Sequence, residues 1–227
     1  TFMLLFAALG IAAGAYAAGR LSQRNVEFGT MPGGALLMTI GTCVLGMMPA
    51  GPYIKTAALM ISLVGVGAGL FVVPLDTFMQ MRLPPDKRGE GLALNSFLSW
   101  TGILGAGCAM YSFHWLGIGP ASSFMVMVIP AAVLALVSFF TLKDFAFRFL
   151  VNCIVRLLYK VRTIGVENVP LEGPAVLIAN HASYMDSLLI CACTRRRVRF
   201  LMSREIYERW RFLRRAFDLY GVITVSD

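Results

Sequence analysis

Between Gly91 and Leu142 the chain carries no aspartate, glutamate, lysine or arginine. A membrane-spanning helix needs about 20 mostly apolar residues, and Gly117-Ile118-Gly119-Pro120 divides this stretch into two such lengths. Three more uncharged runs precede it: Thr1–Gly19, Phe28–Ile54 and Thr56–Leu75. Pro32 and Pro49 stand near the ends of the second of these. The expectation is therefore five transmembrane spans joined by short loops. Hydrophobic residues make up 58 % of the 227 positions, and the mean hydropathy is +0.73, both too high for a soluble protein of ordinary composition.

Charge is unevenly distributed. Residues 1–142 hold six Lys/Arg and four Asp/Glu, whereas residues 143–227 hold fourteen and eight. A membrane segment over 1–142 followed by a basic, mixed-composition segment over 143–227 is the expected organisation. By parity of the spans, Arg20 and Arg24, then Arg82, Lys87 and Arg88, then Lys143 and Arg148 fall on one side. Only Lys55 falls on the other. Positive residues mark the cytoplasmic side, so the basic segment is expected to face the cytoplasm. Asp76 follows Pro74 near the inner end of the third run. It reads either as an intramembrane functional group or, with Arg82 six residues on, as an interfacial one.

In the basic segment one polar cluster stands out: Asn180-His181-Ala182-Ser183-Tyr184-Met185-Asp186. It follows the short branched run Ala175-Val176-Leu177-Ile178, bounded by Gly173-Pro174, which reads as a buried strand. A helical apolar run, Ser187-Leu188-Leu189-Ile190, follows it. The cluster thus reads as a strand-to-helix turn. A neutral imidazole at His181 can take a proton near neutral pH, and a carboxylate at Asp186 can hold its tautomer. Asn180 can brace the turn through backbone groups. The same spacing is also a capping box, with Ser183 as N-cap and Asp186 reaching back. Both readings stand together, since a capping carboxylate can also touch a histidine in the preceding turn.

The stretch from Val161 to Asp186, with Gly165, Glu167-Asn168-Val169-Pro170, Gly173-Pro174 and Asn-His-x-Ser-x-x-x-Asp, resembles the opening of the glycerolipid acyltransferases. The resemblance covers roughly residues 145–227. It implies His181 as general base and Asp186 as its partner, with Asn180, Ser183, Arg204 and Gly221 as substrate-binding positions. It also implies no cofactor and no metal. Ala18-Gly19-Arg20-Leu21-Ser22-Gln23-Arg24, between two spans, resembles the cytoplasmic loop motif of major facilitator transporters, whose last five of twelve spans these five would match. The combination resembles bacterial lysophospholipid transporter–acyltransferase fusions. The fold class this implies is multi-domain: all-α transmembrane helices, part of a major facilitator fold, then an incomplete α/β acyltransferase domain. The implied function is acyl transfer from acyl-carrier protein or acyl-coenzyme A to a lysophospholipid, coupled to its inward transport at a bacterial inner membrane. A transporter segment with a non-catalytic cytoplasmic appendage is the alternative.

Tyr220-Gly221-Val222-Ile223-Thr224-Val225-Ser226-Asp227 resembles the second signature of the acyltransferases, but Ser226-Asp227 stand where many members carry arginine. That favours an acceptor with a phosphodiester headgroup over lysophosphatidic acid. Phe145–Val161 reads either as an interfacial amphipathic helix, with Phe149, Ile154, Leu157, Leu158 and Val161 apolar, or as a core helix. Arg195, Arg196, Arg197 and Arg199 fit helix-end capping or an anionic phosphate or carrier protein. Phe200–Arg204 reads as a strand and Glu205–Phe217 as one helix, with Ile206, Trp210, Leu213 and Phe217 on a stripe. Of the five cysteines, Cys191-Ala192-Cys193 lacks a second ligand pair, so a buried small-residue role is expected rather than zinc. No Gly-x-Ser-x-Gly, Gly-x-x-x-x-Gly-Lys or His-Glu-x-x-His occurs. The positive charge fits membrane lipid better than nucleic acid. Thr1 is not a start residue, and the chain is read as part of a longer protein. Residues 1–227 alone are expected to show neither transport nor acyl transfer.

Overall fold

The structure is a computed structural model describing residues 2–22, 27–49, 51–165, 168–170, 173–180, 182–183, 185–194 and 198–226. His181, Arg195, Arg196, Arg197 and Asp227 lie outside the described residues. The chain divides into two compact units, Thr1–Lys143 and Asp144–Asp227.

The first unit is helical. Helices α1 (Phe2–Ser22), α2 (Thr30–Met47), α3 (Ile54–Arg82), α4 (Arg88–Trp115) and α5 (Pro120–Leu158), the last of which runs past Lys143 into the second unit, are each long and apolar enough to cross a membrane. Pro49, Gly51 and Pro52 explain why α2 stops at Met47, since proline cannot continue a helix ladder. Helix α3 runs past Pro74 to Arg82, which places Asp76 inside a helix. The long α5 bends at Leu142, whose φ of −110° and ψ of 19° leave the helical region just before the charged pair Lys143-Asp144.

Helices α1 and α2 each pack along α3. Gly10 and Gly14 are buried on α1, and Gly65 and Gly69 on α3. Spaced four apart, each pair lies on one face of its helix, and small residues there let two backbones approach closely. A Cβ built at Gly65 would lie 2.6 Å from Ala7 O, and one at Gly69 2.5 Å from Ala15 N. Gly67 faces the other way, against Gly34 of α2. Side-chain hydrogen bonds cross both seams. Ser62 Oγ donates to Phe6 O at 3.2 Å.

On the α2 side, Pro74 is fully buried and has no N–H, so the Leu70 carbonyl loses its helical partner. Thr30 Oγ1 of α2 lies 3.2 Å from that carbonyl and 3.0 Å from Glu27 O, sharing its one proton between them. In hydrocarbon no water can stand in for such a donor. Between α3 and α4, Asn95 Nδ2 donates to Asp76 Oδ1 at 3.1 Å.

The second unit is built on a parallel strand pair. Strand β1 (Leu201–Ser203) pairs with β2 (Ile223–Val225) in the register Leu201↔Ile223, Met202↔Thr224, Ser203↔Val225. Parallel strands need a crossover connection. Here it consists of α7 (Arg204–Arg209), a 3₁₀ turn (Arg211–Leu213) and α8 (Arg214–Tyr220). Helix α6 (Asp186–Cys193) precedes β1.

Two sequence expectations fail in this unit. Ala175-Val176-Leu177-Ile178 is neither a strand nor buried; Val176 is 88 % and Ile178 94 % exposed. A strand needs a ladder and a covering layer. Among the described residues, no other strand pairs with it. The expected helix over Glu205–Phe217 is also broken, because Trp210 sits at φ −99° and ψ 54°. On one straight helix, residues 11 apart would be separated by about 16 Å. The break instead brings Tyr207 Oη within 2.6 Å of Asp218 Oδ1.

Candidate active site

The turn into α6 is organised by one carboxylate. Asp186 Oδ2 accepts the backbone N–H of Ala182 at 2.7 Å and of Ser183 at 2.8 Å. Ser183 Oγ accepts Met185 N–H at 3.2 Å, and Asp186 N–H donates to Ser183 O at 3.0 Å. Hydrogen bonds to a charged acceptor are the stronger kind, so Asp186 is the main fastening of the turn.

This is half of the expected capping box. Asp186 reaches back to Ser183 N–H, but the Ser183 hydroxyl bonds two residues on rather than three. Met185, not Ser183, therefore occupies the N-cap position. Asn180, expected to brace the turn, is exposed. The braces found among the described residues are Asp186 and Ser183. The bond from Ser183 Oγ to the second following N–H is a common local habit of serine that the sequence reading passed over.

The remaining candidates lie elsewhere in the unit. Arg204 directly follows β1 and is exposed, with Nε 3.8 Å from Glu208 Oε1. Gly221 closes α8 in the left-handed region, at φ 68° and ψ 41°. Its N–H bonds Asp218 O, and that of Val222 bonds Phe217 O, which is the pairing of a Schellman ending. A residue with a Cβ is strained there. Because the strands are parallel, Arg204 at the end of β1 and Gly221 before the start of β2 lie at opposite ends of the pair. Ser226 lies at the same end as Arg204, the carboxyl edge where open α/β sheets bind ligands.

Behind α6, the Phe147 ring meets Tyr220 edge-on at a centroid distance of 5.1 Å, and Val151 and Val155 are buried. Burial pushes the Cys191 thiol up from 9.0 to about 11, against the opposing influence of the Arg148 charge and a hydrogen bond with Tyr220. Burial also raises Cys193, against the nearby Arg156 charge. The Tyr220 hydroxyl, likewise raised by burial first, has no oxygen or nitrogen partner among the described residues and lies against Cys191. Thiols pushed upward are poor nucleophiles and poor metal ligands. Below pH 9 a two-unit shift leaves about 100-fold less thiolate. At pH 8, iodoacetamide should therefore modify Cys191 about 100-fold more slowly in the folded than in the denatured protein. Equal rates in a mass-spectrometric time course would refute this. Because the folded pKa is the higher, the associated stability is present below pH 9 and fades as pH rises through about 11.

The comparison with protein families reaches this unit. Residues 160–227 match the family described as Acyltransferase. The match takes in the Asp186 turn, α6, the strand pair and its crossover, so the second unit carries an acyltransferase domain. It begins at Lys160, later than the resemblance read from about residue 145. No curated protein and no solved structure matches the chain. Acyl transfer in lipid metabolism, and membrane association through the apolar helices, are the levels of function and location so supported.

Proposed function

We propose that the acyltransferase domain serves the transfer of an acyl group from an acyl thioester to the free hydroxyl of a lysophospholipid at a bacterial inner membrane. In this reading the acyltransferase domain faces the cytoplasm. The observation that carries the reading is the double hold of Asp186 on Ala182 and Ser183 inside the acyltransferase match. It fastens the backbone directly after His181. His181 takes the proton from the lysolipid hydroxyl, and Asp186 steadies the resulting imidazolium. The oxygen attacks the thioester carbonyl, the carbon–sulfur bond breaks, and the thiolate leaves with the proton from His181. An ester and a free thiol result, with no covalent enzyme intermediate.

Arg204, with Ser226 at the same strand edge, supplies the cationic contact for the acceptor phosphate. Asn180 and Ser183 line the approach, and Gly221 sets the turn into β2. The helical unit, read as the last five spans of a major facilitator transporter, delivers the lysolipid from the other leaflet. Small residues at the α1–α3 seam support close helix packing in that unit.

The test uses the protein in its native membranes with a radiolabelled acyl thioester, offered as acyl-carrier protein or acyl-coenzyme A. Lysophosphatidylethanolamine and lysophosphatidic acid are the acceptors. Labelled diacyl lipid that requires both substrates, with the phosphodiester acceptor preferred, is the expected result. No label transfer with any pair would overturn the reading.

A further inference from the structure

The part of α5 beyond its bend has two apolar faces, and only one packs inside the second unit. Phe147, Val151 and Val155 turn inward. Leu150, Ile154, Leu157 and Leu158 follow one another at helical spacing along the adjoining, exposed part of the helix surface. Their exposures are 55 %, 45 %, 85 % and 64 %. A continuous apolar stripe of this kind marks an interaction surface rather than a solvated one.

What covers it is indicated by its flank. Arg156, Tyr159, Lys160, Val161, Thr163 and Ala192 line an open cavity of about 310 Å³. Two cations and two hydroxyls line it, and no carboxylate is among the described lining residues. Such a lining suits a phosphate group. The two features adjoin along the chain: Arg156 directly precedes the exposed Leu157, and Val161, just after α5 ends at Leu158, is exposed and forms part of the cavity wall. An anion site sharing an edge with an apolar stripe has the shape of a phospholipid at a bilayer surface, headgroup beside acyl chain.

We infer that residues 150–163 form a binding site for an anionic phospholipid of the bilayer. The phosphate sits between Arg156 and Lys160, and the stripe lies among acyl chains. The ligand is a structural lipid rather than the acyl acceptor, and the site is separate from the Asp186 turn. The inference therefore does not depend on the acyl-transfer reading. The basic excess of residues 143–227, fourteen Lys/Arg against eight Asp/Glu, is of the matching sign.

The test uses the membrane-inserted protein in nanodiscs of phosphatidylcholine, with and without phosphatidylglycerol. After detergent extraction, native mass spectrometry should find phosphatidylglycerol retained in preference to phosphatidylcholine. The double substitution Arg156→Gln, Lys160→Gln should weaken that retention about 30-fold, from roughly fivefold for each cation at an anionic surface. Equal retention of the two lipids, or by the two proteins, would overturn the inference. A nitroxide on Leu157→Cys, with the native cysteines replaced, supplies a second measurement. In nanodiscs it should be more accessible to oxygen than to a water-soluble nickel complex, with the opposite result at the exposed control Glu208→Cys. A label at 157 that meets water, or one shielded from both reagents by another protein segment, would overturn it as well.

Discussion

Replacing His181 by alanine is expected to lower acyl transfer by about 10²–10⁴-fold, the usual range for a lost general base, without loss of membrane insertion. The expectation rests on the neighbouring backbone, since His181 itself lies outside the described residues. Ala182 and Ser183 are both fastened to Asp186 through their backbone N–H groups. Asp186→Ala should lower the rate as well, because it releases two N–H groups along with the charge. Ser183→Ala removes a bond from the Met185 N–H and one neutral hydroxyl at the approach, and should act within about tenfold, in line with a single neutral hydrogen bond. Initial rates with a labelled thioester, in protein matched for insertion, decide the matter. Wild-type turnover in the His181 variant would remove it from the mechanism.

The second large effect belongs to the membrane unit. Gly69→Leu should destabilise it by about 3 kcal/mol or more, the upper end for overpacking. In a chain of this size that corresponds to a fall of roughly 6–12 °C in Tm. The reason is what the new Cβ would meet: Ala15 N at 2.5 Å and Ile11 O at 2.6 Å, both backbone atoms that cannot rotate aside. Gly105→Leu is the control, since nothing lies within 4 Å of a Cβ there. Thermal melts of the two variants in one detergent should separate clearly. Coincident melts would mean that α1 and α3 do not pack through their glycines.

That contrast also shows where the sequence can be read and where it cannot. Hydropathy is local, so five uncharged runs foretell five long helices. Packing is not local. Gly65, Gly67 and Gly69 are as dense as Gly102, Gly105 and Gly107, yet the first three meet neighbouring backbones and the last three meet nothing. The run 175–178 has the composition of a strand, but pairing depends on a partner that composition does not reveal. Periodicity likewise carries Ile206 through Phe217 smoothly past Trp210, where the chain turns back. At the candidate site the spacing of Ser183 and Asp186 announced a helix start. It did not announce that a single carboxylate oxygen would take both amides.

That shared oxygen alters when the turn's disorder is lost. Confining one residue's backbone costs about 1–2 kcal/mol of conformational entropy. For Ala182 and Ser183 this cost falls at folding, when Asp186 closes on them, and none is left to be met as a ligand arrives. Affinity for whatever docks against the turn is thereby tied to the stability of α6's first turn. Substitutions at Asp186 should loosen both together, so a binding defect there is also a folding defect measured by other means.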